Sequence, residues 1–88
     1  MERTQELGEK VKAILKAEFD PAEVNVSTRD AVVVFLYSER FEGMDDMDRQ
    51  EAIWSLLERT LDREEQRAVA IVVALTPKER AFHTAGSA

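Results

Sequence analysis

The sequence predicts a single α+β domain, a two-layer sandwich of α-β-β-α-β-α order with helices on one face of a small three-stranded mixed sheet. Three observations predict it. Two long segments carry apolar residues at helical spacing, and two short runs are almost wholly apolar. All of this sits within 88 residues that contain no repeat, low-complexity tract or linker. A chain of this size has room for one hydrophobic core.

Residues 2–18 form the first helix, because Leu7, Val11, Ile14 and Leu15 recur at i, i+4, i+7 and i+8 opposite Glu6, Glu9, Lys10, Lys12 and Lys16. Asp20-Pro21 ends it, since a residue before proline avoids helical geometry. Residues 23–27 alternate with period two, the pattern of a short edge strand. Thr28-Arg29-Asp30 is a turn, and the apolar run over 31–37 completes a hairpin. A polar connector over 38–46, with Gly43 inside it, leads to a second helix over 45–61. Asp45 or Asp46 caps this helix, and acids in its first turn suit the helix dipole. Met47, Trp54, Leu57 and Leu61 fall on one side, with Ile53 adjacent. Asp62 to Gln66 form a charged turn or a frayed last turn. Residues 68–75 are the third strand, large at odd positions and mostly small at even ones. The connection over 38–67 is long enough to cross over and set this strand parallel to a neighbour. Thr76-Pro77-Lys78-Glu79 is a capping box that opens a short helix reaching about Phe82. The domain accordingly spans 1–83, and 84–88 form a flexible C-terminal tail.

Eighteen acids against 12 bases give a net charge of −6, a field that does not draw the chain to phosphate backbones. Nucleic acid is therefore a disfavoured partner. The absence of Cys excludes disulfides, thiol catalysis and Cys-held metal or iron–sulfur sites, and a single His excludes HExxH chemistry. That residue, His83, has no second ligand or nucleophile beside it. No apolar run is long enough to span a bilayer. Residues 1–18 carry four Glu, one Arg and three Lys in place of a signal-peptide core, so the expected location is cytoplasmic. Six acids and two bases lie between Glu39 and Glu51. They fail the EF-hand pattern, because Glu51 and Leu57 occupy the sixth and twelfth positions counted from Asp46. The cluster is either a solvated helix N-terminus or an acidic docking surface for a basic partner. No catalytic, cofactor or metal site is predicted, and the chain reads as a non-enzyme.

From Phe41 onward the chain resembles the BolA-like family, whose class-II KH-like fold shares the central α-β-β-α-β order. Phe41-Glu42-Gly43 matches the family's F-x-G, and Arg49, eight positions after Phe41, stands at the Arg of its Arg-His pair. Ile53, Trp54 and Leu57 fit the apolar positions that follow, and Ala68-Val69 and Thr76-Pro77 with Glu79 resemble the third-strand entry and the T-P-x-E end. The resemblance implies a regulatory or adaptor role linked to stress or iron and exercised through protein–protein contact. It implies a glutaredoxin-like partner and a shared iron–sulfur cluster. It also marks Phe41, Gly43, Arg49, Gln50 and Arg67 as partner-contact residues. The ligand positions depart from the family. Gln50 replaces the His of the Arg-His pair, and Arg67, or Gln66 under another alignment, replaces the His that opens the third strand. Thr28-Arg29-Asp30 holds neither the Cys nor the His found there in many members. An arginine has no lone pair to give a metal, so the metal role is expected to be lost. The KH-like fold raises nucleic-acid binding as the alternative, but Gly8, Gly43 and Gly86 form no G-x-x-G loop.

Gln50 is either a partner contact or a polar residue bonding a backbone group at the helix–sheet seam. Arg67 either grips a partner's carboxylate or pairs at the surface with Glu64 or Glu65. One expectation needs no family. The second and third strands are apolar on both faces, and two helices cover only one face of a three-stranded sheet. The other face should expose an apolar patch on the order of several hundred Å², covered by a second copy in a homodimer or by a different protein unless the terminal helix packs on it.

Overall fold

Apolar periodicity in the chain sorts into two layers. The computed structural model describes the backbone of residues 2–87 and the side chains of residues 4–82. Helices α1 (Glu2–Glu18) and α2 (Asp46–Thr60) pack on one face of a sheet made of β1 (Ala22–Ser27), β2 (Val32–Ser38) and β3 (Val69–Leu75). The spatial order is β1-β2-β3, with β1 antiparallel and β3 parallel to β2. These are the hairpin and the crossover that the connection lengths predict. A 3-10 turn (Glu39–Phe41) follows β2, helix α3 (Arg63–Ala68) precedes β3, and α4 (Pro77–Ser87) follows it.

Leu7, Val11 and Leu15 of α1 and Ile53 and Leu57 of α2 are buried against Val24, Val34 and Leu36 of the sheet. The rings of Phe19 and Phe41 close one end of this core, 5.0 Å apart. Gly8 lets α1 approach the hairpin, since a Cβ there would meet the Thr28 methyl at 2.6 Å. At the Phe19–Phe41 end Ser38, fully buried, ties three segments together. Its hydroxyl donates to the Phe19 carbonyl at 2.7 Å, with the Pro21 carbonyl at 3.1 Å, and accepts from the Arg40 N–H at 3.1 Å.

The phase of α2, the segment 63–68 and the end of α4 differ from the sequence reading, and β3 adds a register slip. Met47 is 77% exposed, because the inward stripe of α2 is Arg49, Ile53, Leu56 and Leu57, at i, i+4, i+7 and i+8. In β3 the register slips between Val32 and Val33, so Val32 pairs with Val69 while Val33 pairs with Ile71. The slip changes the parity of the strand. Val69 is buried, but beyond it the small-side positions Val72 and Ala74 face the helices and Ile71 turns outward. Finally, residues 63–68 are helical where a turn or a frayed end is expected. Asp62 is their N-cap: its side chain accepts from the Glu65 N–H at 2.8 Å, and the Glu65 carboxylate accepts from the Asp62 N–H at 2.9 Å. Helix α4 runs to Ser87, past Phe82, and the side chain of His83 lies outside the described residues.

The caps of α2 and α4 follow the sequence. Asp45 accepts from the Asp48 N–H at 2.9 Å. Thr76 and Glu79 exchange the two bonds of a capping box, at 2.9 and 3.1 Å. Because α3 buries no residue of its own, its cap carries much of its stability. Asp62→Ala should lower unfolding free energy by about 1 kcal/mol and raise amide exchange within residues 63–68 first, read by denaturant unfolding and hydrogen-exchange mass spectrometry.

Candidate functional site

The residues singled out for partner contact divide into a corner and an outlier. Phe41, Gly43, Arg49 and Gln50 gather where β2 and β3 end and α2 begins. Arg67 lies at the opposite end of the sheet, exposed in the last turn of α3.

The corner is organised by Arg49. Arg49 is 7% exposed, and its guanidinium uses nearly all of its donors. Nε donates to the Met44 carbonyl at 2.9 Å, and Nη1 to the Ala74 carbonyl at 3.1 Å. Nη1 and Nη2 grip the Glu79 carboxylate at 2.6 and 3.0 Å. The cation also sits 5.8 Å from the centroid of the Phe41 ring, which is fully buried. One side chain thus binds the connector, β3, α4 and the aromatic end of the core. Arg49 holds the Glu79 carboxyl down at about 2, helped by the Thr76 N–H. Gly43 is exposed at φ +83, a left-handed conformation that glycine adopts without strain, and it turns the connector back toward Met44.

Gln50 makes the seam hydrogen bond. Its Nε2 donates to the Val72 carbonyl at 2.7 Å, and its Oε1 accepts from Trp54 Nε1 at 3.2 Å. Gln50 and Arg49 therefore occupy alternate carbonyls along β3, a strand that has a neighbour on one side only. Arg67 does not take the pairing expected of it through Glu65, whose carboxylate binds Lys10 at 3.0 Å and caps α3.

These residues do not fit the iron–sulfur cluster that the resemblance implies. Both polar ends of Gln50 are consumed inside the fold, and Gln66 donates to the Leu61 carbonyl at 2.9 Å. Arg67 is a permanent cation without a donor pair. Among the described residues no group of three or more His, Cys, Asp or Glu could hold a metal ion.

The second candidate is the face of the sheet turned away from α1 and α2. Val33, Phe35 and Tyr37 of β2 lie beside Ile71, Val73 and Leu75 of β3. Phe35 is 38% and Ile71 53% exposed. Among the described residues helix α4 meets this face at its Tyr37 end. There Arg80 stacks 4.2 Å above the Tyr37 ring and pairs with Glu23 at 2.7 Å. Nothing in the sequence marked Arg80 for this role, because the contact joins three elements distant in the chain.

The corner makes two predictions. Glu79→Gln leaves the buried guanidinium short of its counter-charge and should cost about 1–2 kcal/mol in neutral solution. The Glu79 carboxyl titrates lower in the folded chain than its ordinary 4.5. Its contribution is therefore complete above about pH 5 and disappears as pH falls toward 2, so the gap between wild type and variant should close over that range in chemical denaturation series. Gln50→Leu strands the Trp54 N–H and the Val72 carbonyl, and should cost about 1–3 kcal/mol in the same assay.

No protein-family model matches this sequence, and no curated protein matches it. Solved structures do. BolA1 from Arabidopsis thaliana superposes with a TM-score of 0.65 at 24% identity, over 83% of this chain and 94% of that one. The BolA domain of SufE1 from Arabidopsis thaliana gives 0.62 at 25% identity, over 82% of this chain and 93% of that one. The likeness is one of fold: a mixed sheet backed by helices, so that this chain has a BolA-like fold.

Proposed function

We propose that this domain is a non-enzymatic regulatory or adaptor module that works in the cytoplasm by protein–protein contact and takes no part in holding a metal cluster. The observation that carries the reading is the outward face of the sheet, where Phe35 and Ile71 stand 38% and 53% exposed among Val33 and Val73. Soluble proteins seldom leave a contiguous apolar patch of this kind uncovered. Support also comes from the corner. Its one buried cation is neutralised by Glu79 and its amide is satisfied internally, so it offers shape and not a reactive group. No helix among the described residues is long and apolar enough to cross a membrane, which is consistent with a partner met in solution.

Within this reading the five contact residues have different duties. Gly43 and Arg67 are exposed and Gln50 half-buried, so they retain surface for a partner. Phe41 and Arg49 are buried and act by holding the Gly43 connector in place. A glutaredoxin-like partner, which the resemblance implies, would be held by side-chain contact without a bridging cluster from this chain.

The test is affinity capture from the native extract with wild type, Phe35→Lys and Ile71→Lys as parallel baits, each checked for folding by circular dichroism. Partners should be retained by wild type and lost from both variants, because a lysine at the centre of an apolar contact must be desolvated. An identical set of proteins on all three baits would overturn the reading.

A further inference from the structure

We propose that the groove between the start of α2 and helix α4 docks a cationic segment of a partner protein, one that carries a bulky apolar side chain flanked by lysine or arginine. The groove shares only Leu75 with the outward sheet face, so the two surfaces can be tested apart.

The groove opens where β3 ends and encloses about 610 Å³, room for one large apolar side chain. Its apolar lining is the buried Ala74, the half-buried Met44 and Leu75, and Phe82, which is 82% exposed. A phenylalanine ring left in water beside methionine and leucine gains by being covered, and methionine adapts to the shape of what covers it. The walls are already fixed. Arg49 donates to the Met44 and Ala74 carbonyls and grips Glu79, so connector, strand and α4 are set before anything docks. A preformed groove loses less conformational freedom on binding.

Charge fixes the occupant. Glu42, Asp45, Asp46 and Asp48 are exposed along the connector and the first turn of α2, on the α2 side of the groove. Asp45 accepts the Asp48 N–H through one oxygen, and among the described residues none of the four enters an ion pair. Of the cations nearby, Arg49 is neutralised by Glu79, and Arg40, beside Glu39 in the chain, turns its Nε to the Asp20 carbonyl at 2.8 Å. Lys78 stands on the α4 wall. The dipole of α2 adds about half a positive charge at this end, which leaves the sum negative.

The two features select together. Exposed carboxylates alone hold any cation loosely, and an apolar groove alone takes any apolar chain. Side by side they suit a segment whose apolar residue enters between Met44, Leu75 and Phe82 while its cations reach Asp46 and Asp48. An acidic segment is repelled here, and the net charge of −6 on the whole chain adds to that repulsion. Because the carboxylates are exposed, the electrostatic part of the contact weakens with salt.

Titration of the full chain, labelled with ¹⁵N, against a synthetic peptide of Leu and Lys at amphipathic helical spacing tests this, with oligolysine of equal charge as the control. Amide shifts should concentrate at residues 42–48 and 74–82 and saturate. Phe82→Ala should weaken binding at least about fivefold. Asp46→Asn with Asp48→Asn should weaken it, and Lys78→Glu should tighten it, each by about two- to fivefold at low salt. All four substitutions lie at exposed positions, and circular dichroism checks the fold of each variant. The proposal fails if the peptide does not bind, if oligolysine binds equally well, if Phe82→Ala changes nothing, or if Lys78→Glu weakens binding. Shifts confined to Val33, Phe35 and Ile71 would remove the groove as a docking site and leave the contact role of the sheet face intact. Unchanged peptide binding by Ile71→Lys, together with unchanged capture of proteins by that variant, would defeat the sheet-face reading and leave the groove standing.

Discussion

One guanidinium organises the corner on which the fold turns. Arg49 is a charge almost removed from water, and such a charge is tolerated only when its donors are satisfied. Here two backbone carbonyls and a bidentate carboxylate do so. The consequence is geometric more than energetic. The planar fork has a fixed shape, so the connector after β2, the end of β3 and the first turn of α4 are set relative to α2 by a single side chain. Glu79 serves twice, because the oxygen that meets Arg49 also accepts the Thr76 N–H and so starts α4. The ion pair and the helix cap form one coupled unit.

The sheet is the other organising element, and its two faces have separate fates. The face toward α1 and α2 is dry and closely filled, with Val34, Leu36 and Val32 fully buried. The outward face carries side chains of similar hydrophobicity and, among the described residues, is met by α4 at its Tyr37 end. The slip between Val32 and Val33 sharpens this division, since it sends Ile71 outward and brings the small Ala74 inward, where its carbonyl lies within reach of Arg49. A parity change in one strand thus serves both the corner and the open face.

Much of this was legible in the residues. Helical spacing identified Leu7, Val11 and Leu15, and the Thr76-Pro77-Lys78-Glu79 sequence announced a capped helix, because both signals are local. The uncovered apolar face followed from counting layers. What escaped depends on contacts between distant segments or on competing local signals. Helix α3 has no apolar stripe and is held by the reciprocal Asp62–Glu65 bonds, a cap signal present in the sequence but obscured by its charged surroundings. The phase of α2 was misjudged at Met47, because the stripe that faces inward includes an arginine, which a hydropathy pattern counts as surface. Arg80 could not be seen at all, since its place over Tyr37 depends on the path of α4 relative to the hairpin.

The pair of side chains that α2 sends to β3 has a protective corollary. A strand at the margin of a sheet is a template for aggregation, because its free carbonyls invite a stranger's amides. Gln50 and Arg49 cover two of those acceptors, at Val72 and Ala74, with donors anchored in a helix. An incoming polypeptide would have to displace an amide and a guanidinium before it could hydrogen-bond along that margin. The valine-rich strand, whose composition suits cross-β pairing, thereby presents fewer open acceptors to another chain.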